Sequence, residues 1–374
     1  MEFLELPNEV LSRIISFLDT PSPFDDNLLQ KPVLERPKDE FQMQFSETEP
    51  RRTALKSLSS LSRLLRSLTL PFLFKHVILD PVSLSDFITF LGQNDLQQRV
   101  SSIVAVVSGH YNHVHPAWWA RLLNEVPTTR LSIIAAPHIL AELTAVSAWS
   151  TDAWAFDIPY QILCFDQSPE STRDKIDYED LPNFLDARPW TSLTVNEGSS
   201  VLAYTTYEYF FRRTPSLLSA LSPSGSTSGD SLFASLTAFQ YVAIFPFYNH
   251  VDEVLKCIQK MTRLQKLSLK LCPDAGSTIL HDEIIAAGSH LDINDPWNEC
   301  ETSWRLIAHH VAALTSVGVL RELHMKDVQI EGVRESLEFT LNRILKGYWT
   351  YSGERTGLWL RNPDQLPPKG PLTT

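Results

Sequence analysis

The stretch "MTRLQKLSLKLC" at residues 261–272 sets Leu264, Leu267 and Leu269 at an L-x-x-L-x-L spacing, and "VGVLRELHMKDV" at 317–328 repeats it with Leu320, Leu323 and Met325. Alternating apolar residues over so short a run fit a strand with one buried face. Working outward, similar segments recur at "SSIVAVV" (101–107), "RLSIIAA" (130–136), "QILCFD" (161–166), "TSLTVN" (191–196) and "SLTAFQYVAIF" (235–245), with "KLSLKL" and "ELHMKDV" inside the two quoted units. The anchors Ile103, Leu131, Ile162, Leu193, Leu236, Leu267 and Leu323 are separated by 28, 31, 31, 43, 31 and 56 residues. Between them lie apolar residues at helical spacing: Trp118, Trp119, Leu122, Leu123 and Val126; Val251, Val254, Leu255 and Ile258; Trp304, Ile307, Ala308, Val311 and Ala312.

One strand and one helix per roughly 30 residues cannot bury their apolar faces alone, so successive units are expected to stack. The 43-residue step holds the Ser/Gly-rich loop "SPSGSTSGD" (222–230), and the 56-residue step leaves room for a further weak unit near "SHLDIND" (289–295). The rhythm of the two best units resembles the leucine-rich-repeat family, although the other units lack a regular asparagine or cysteine at the turn. The resemblance implies an α/β fold in which residues 81–362 form an irregular β/α solenoid that recognises another protein. A doubly wound sheet is the competing reading; it explains the alternation of elements but not the near-constant step. Past Lys346, "GYWTYSGERTGLWL" (347–360) reads as a last strand or cap, and 363–374 as a disordered tail.

The chain opens differently. "LELPNEVLSRIISFLD" (4–19) places Pro7 and Glu9 at a helix start and Val10, Leu11, Ile14, Ile15 and Leu18 on one stripe, which predicts a helix over 6–19. Residues 21–52, interrupted by five prolines, read as a flexible insertion. Helical patterning resumes over 53–78, with Leu55, Leu58, Leu61, Leu65 and Leu68 on one face, until Leu70-Pro71 is expected to break it ahead of a turn at "PFLFKHV". Helices this short bury too little surface to stand alone, so their stripe needs cover, either from the rest of the chain or from a partner.

"LPNEVLSRIISFLD" and "LSSLSRLLRSLTLPFLFKHV" (58–77) together resemble the F-box, of a fungal type split by an insertion. Leu6-Pro7 and Glu9, the Ile14-Ile15 and Leu18 stripe, Ser62-Arg63, and Leu70-Pro71 ahead of Leu73-Phe74 carry the likeness; the insertion, and Leu65 where an aromatic or basic residue is common, depart from it. It covers residues 1–80. The resemblance implies a non-catalytic, substrate-recognition subunit of a cullin-RING ubiquitin ligase, docked on a Skp-family adaptor through Leu6, Pro7, Glu9, Val10, Ile14, Ile15, Leu18, Leu58, Leu61, Leu65, Leu70, Pro71 and Phe74, while the repeat domain holds a target protein. On that expectation Ile15→Asp weakens adaptor binding by about 2–4 kcal/mol and leaves the repeat domain folded.

Composition narrows the field. A formal net charge of −12 opposes polyanions, and the densest basic run, Arg51 and Arg52 with Lys56, Arg63 and Arg66, reads as the polar side of a helix, so neither nucleic acid nor membrane is an expected partner. Apolar runs are too short to span a bilayer, and the acidic start lacks the features of a secretory leader. Cys164, Cys257, Cys272 and Cys300 have no C-x-x-C pairing, as expected of reduced thiols in cytosol or nucleus. "GHYNHVHP" brings His110, His113 and His115 close in sequence, but at spacings that suit a loop better than a zinc site. His281 and the adjacent His309 and His310 give no ligand geometry either. The Ser/Gly-rich loop lacks both the nucleophile-elbow setting and a P-loop ending, and no cofactor is expected. A scaffold unconnected to ubiquitin, and an α/β hydrolase using one of the histidines, remain the alternatives.

Overall fold

The computed structural model describes residues 6–19, 22, 24–25, 27–32, 50–107, 115–146, 160–168, 175–177, 184–205, 217–221, 232–286, 292–315 and 319–362. The expected tail, the Ser/Gly-rich loop, His110 and His113 lie outside them.

In chain order the elements are α1 (Asn8–Ser16), α2 (Pro50–Leu61), α3 (Arg63–Leu73), β1 (His76–Leu79), α4 (Leu84–Gln93), β2 (Ser102–Val107), α5 (Trp118–Glu125), β3 (Arg130–Ala135), α6 (Pro137–Leu143) and β4 (Gln161–Gln167). There follow β5 (Trp190–Ser199), α7 (Leu217–Leu221), β6 (Ala238–Ile244), α8 (Tyr248–Ile258), β7 (Lys266–Lys270), α9 (Ile279–Ala286), α10 (Asp295–Thr315), β8 (Glu322–Met325), α11 (Glu331–Ile344), β9 (Trp349–Tyr351) and β10 (Leu358–Arg361).

All ten strands join one sheet in the order β1-β2-β3-β4-β5-β6-β7-β8-β10-β9. Neighbours are parallel from β1 to β8, except that β4 runs antiparallel to both β3 and β5. No strand order reverses in mid-sheet, as a doubly wound fold requires. One rung of paired residues, Ile103, Leu131, Phe165, Leu193, Phe239, Leu267, Leu323 and Trp359, runs across the sheet with every side chain buried. It continues into a single core with the inward residues of α4, α5, α6, α8, α10 and α11, so these helices cover one face.

Several expectations need correction. Ile162 and Leu236 are not on that rung. Reversal of β4 puts Phe165 there, and β6 begins two residues beyond Leu236 and contributes Phe239. β7 pairs directly with β8, so no strand near 292–295 stands between them; α9 and the 21-residue α10 fill that step instead. α1 is shorter than 6–19, starting after Pro7, whose carbonyl accepts from Val10 and Leu11 N–H. Pro71 does not break α3, which runs on to Leu73: near a helix end a missing N–H frees only one carbonyl, that of exposed Ser67. "HVIL", expected in the helical unit, is the edge strand β1. "GYWTYSGERTGLWL" is a β9–β10 hairpin whose second strand pairs antiparallel with β8 and covers that edge.

Candidate functional site

α1, α2 and α3 close around a small core of Ile15, Leu55 and Leu65, flanked by half-buried Leu18, Leu58, Leu68, Phe72 and Leu73. Ser62 caps α3 by accepting from Leu65 N–H at 3.2 Å. The unit is tied to the rest of the fold: Leu70 belongs to the main core, Phe74 stacks on Phe90 of α4 with centroids 4.9 Å apart, and the Lys75 carbonyl accepts from Ser101 and Ser102 N–H at β2, while the Lys75 side chain pairs with Asp19 after α1. The thirteen sequence-predicted contact residues therefore divide. Ile15, Leu65 and Leu70 are interior in the chain by itself, so Ile15→Asp would place a carboxylate among leucines and melt the unit. Leu6, Leu18, Leu58, Pro71 and Phe74 are half-buried. Pro7, Glu9, Val10, Ile14 and Leu61 face solvent. Phe17, 68% exposed and missed in the sequence, continues the line of Val10 and Ile14 at i, i+4 and i+7, with the Arg13 guanidinium over its ring. α1 thus has two apolar sides, one closed by its neighbours and one open.

The second surface is the sheet face away from the helices. Its row Val106, Ile134, Ile162, Asn196, Val242 and Lys270 pairs across six consecutive strands. A strap from the expected insertion crosses it. Phe24 and Leu28 pack on Val104, Val106, Ile134, Ile162 and Cys164. Asp25 pairs with Arg130, which also reaches Asp166 at 3.2 Å. Asn196 Nδ2 donates to the carbonyls of Leu28 (2.9 Å) and Gln30 (2.7 Å), and Lys270 Nζ to that of Leu29 (2.8 Å). Lys31 pairs with Glu283 on α9, which accepts from Ser199 Oγ at 2.8 Å. Residues 22 and 24–32 as far as described are therefore docked, which corrects the reading of this part as flexible. The signal in the sequence was slight: polar Asn196 and Lys270 sit at off-core positions of strands whose neighbours there are valine and isoleucine.

Among the described residues, several groups with chemical potential have partners within the fold. His115 Nδ1 accepts from Ala117 N–H ahead of α5, and His310 lies 3.3 Å from Asp252. Glu197 accepts from Tyr241 Oη at 2.7 Å and contacts His250 Nε2 at 2.8 Å, a set sealed in the interior that ties β5, β6 and α8 together. His76 Nδ1 lies 2.7 Å from Ser102 Oγ; burial, with Lys75 nearby, lowers the imidazole pKa and leaves it a weak base, and Ser102 is buried. The Sγ atoms of Cys272 and Cys300 are 3.8 Å apart, a proximity invisible in their spacing, and burial pushes both thiols up and away from the reactive thiolate. Among the described residues no cluster of His, Cys, Asp or Glu is placed to hold a metal, and no helix is long and apolar enough to cross a membrane.

Comparison with protein-family models, curated proteins and solved structures finds no significant match to this chain.

Proposed function

We propose that this chain is the substrate-recognition subunit of an SCF-type cullin-RING ubiquitin ligase, docking on a Skp-family adaptor through the three-helix unit and holding a target protein on an irregular leucine-rich-repeat-like domain, in cytosol or nucleus. The observation that carries the reading is the open side of α1: Val10, Ile14 and Phe17, with Leu61 at the end of α2, stay exposed on a unit whose interior is already filled. Large exposed apolar side chains in one line are the mark of a partner. Sequential strand order, with helices on one face, is what a solenoid of β/α units requires, and reversed β4 is the irregularity. Ubiquitin transfer would then be accelerated by raised effective concentration of the target, with the partners supplying the chemistry.

The test is a titration of the full chain against purified Skp-family adaptor. Val10→Asp/Ile14→Asp is expected to weaken binding by about 2–4 kcal/mol, roughly 30-fold or more, with an unchanged thermal midpoint. Unchanged affinity would sink the proposal. A scaffold that recruits no ligase is the second reading, favoured by the contacts of Leu70, Phe74 and the Lys75 carbonyl with the rest of the fold, and absence of any adaptor binding by the wild type would select it.

A further inference from the structure

We propose that the sheet face opposite the main helical core is a receptor for a short peptide of the form Phe-Asp-x-x-Leu, and that the strap described between residues 22 and 32 is its resident competitor. This goes beyond the adaptor reading and does not depend on it.

The argument starts from buried polarity. Beneath the strap Asn196 is fully buried and Lys270 nearly so; Lys270 Nζ is shared between Asp274 and the strap, whereas Asn196 Nδ2 meets its two acceptors on the strap. A buried donor without an acceptor is costly, so the Asn196 amide favours a main chain lying over this face, and Lys270 adds a further contact to it. The cover presents three consecutive main-chain carbonyls, 28 and 30 to Asn196 and 29 to Lys270. Side chains that grip a main chain fix a peptide's path and register without regard to its sequence. Sequence is read at the other end, where Phe24 and Leu28, four residues apart, sit on five apolar side chains and the acid after the aromatic meets Arg130. Two apolar anchors, one charge and a run of carbonyls are how a receptor holds a linear motif. A second segment with the same features satisfies every one of these groups, so it competes for the face. The resident has the advantage of its tether, which gives an effective concentration on the order of millimolar. In the wild type an outside peptide is therefore held off, and the strap sets a threshold that only a matched or multivalent target crosses.

The probe is a fluorescein-labelled peptide with the sequence of residues 22–32, SPFDDNLLQKP, followed by anisotropy against the full-length chain. Phe24→Ala/Leu28→Ala in the protein is expected to raise affinity for the peptide at least tenfold over wild type, and adding Asn196→Ala is expected to abolish the gain. The same peptide with alanine for its Phe and Leu should not bind. A double variant that keeps its far-ultraviolet circular dichroism and thermal transition, yet binds no more tightly than wild type, overturns the proposal. Should that variant fail to fold, Asp25→Lys decides: its side chain is 44% exposed, so folding is not at stake, and a gain of about threefold or more is expected whereas no gain overturns. Adaptor affinity, measured separately on the same variants, keeps the two readings apart.

Discussion

Asp327 shows how one side chain can knit distant parts of the chain and still be absent from any motif. Fully buried after β8, its carboxylate accepts from the N–H groups of Leu271 (2.9 Å) and Cys272 (3.0 Å) beyond β7 and from Trp304 Nε1 (3.2 Å) on α10. Burial outweighs these donors and pushes its pKa from 3.8 up to about 6. A carboxyl raised on folding favours the neutral form, so its contribution to stability is full below about pH 4 and is lost as pH rises through 6. Between pH 4 and pH 7 the wild type should therefore lose on the order of 3 kcal/mol more stability than Asp327→Asn, in which this titration is gone. Urea unfolding of both proteins across that range checks it; parallel pH profiles would refute the assignment. In the sequence "MKDV" gives no hint of this, because the donors lie 23, 55 and 56 residues away. The same holds for Glu197 with Tyr241 and His250: burial and partnership of polar residues are tertiary facts. Apolar positions were legible one by one, and Ile103, Leu131, Leu193, Leu267 and Leu323 do share a rung.

At the level of elements, the seven strands anticipated from alternation all form. The direction of β4 was not legible, since alternation reads the same forwards and backwards. β1 hid behind Pro71, while the closing segment, read as a last strand or cap, forms two strands that cover the edge of β8. That hairpin hangs on Gly357, whose φ of +64° falls in the left-handed region, and a Cβ there would come within 2.3 Å of the Met325 carbonyl oxygen. Gly357→Ala is thus expected to cost about 2–4 kcal/mol through backbone strain and overlap, visible as a lowered urea midpoint. An unchanged midpoint would mean that the turn relaxes freely. α1 teaches the complementary lesson: its stripe was legible as apolar, but which part turns inward depends on where α2 and α3 lie. Hence Ile15 is interior while Val10, Ile14 and Phe17 are not.

For the molecule as a whole, the sheet has two ends that need protection, and β10 with β9 supplies it at one of them. Truncation after Leu345 bares the backbone of β8 and the core around Trp359, so the shortened chain is expected to self-associate in light scattering while the wild type stays dispersed. A monodisperse truncated protein would argue that the hairpin is ornamental. The strap was the least legible feature of all, because it grips through carbonyls and two anchors and so carries no periodicity; proline content alone suggested a loop. Its position near the amino end has a further effect. Lys31 finds Glu283 252 residues later, and the Leu29 carbonyl finds Lys270 241 residues later. On a ribosome moving at about 5–20 residues per second, those counterparts emerge roughly 10–50 s after the strap itself. Each newborn molecule therefore passes through an interval in which the strap is held by its anchors on the earlier strands alone, and its last hold closes only when the far end of the sheet has been made.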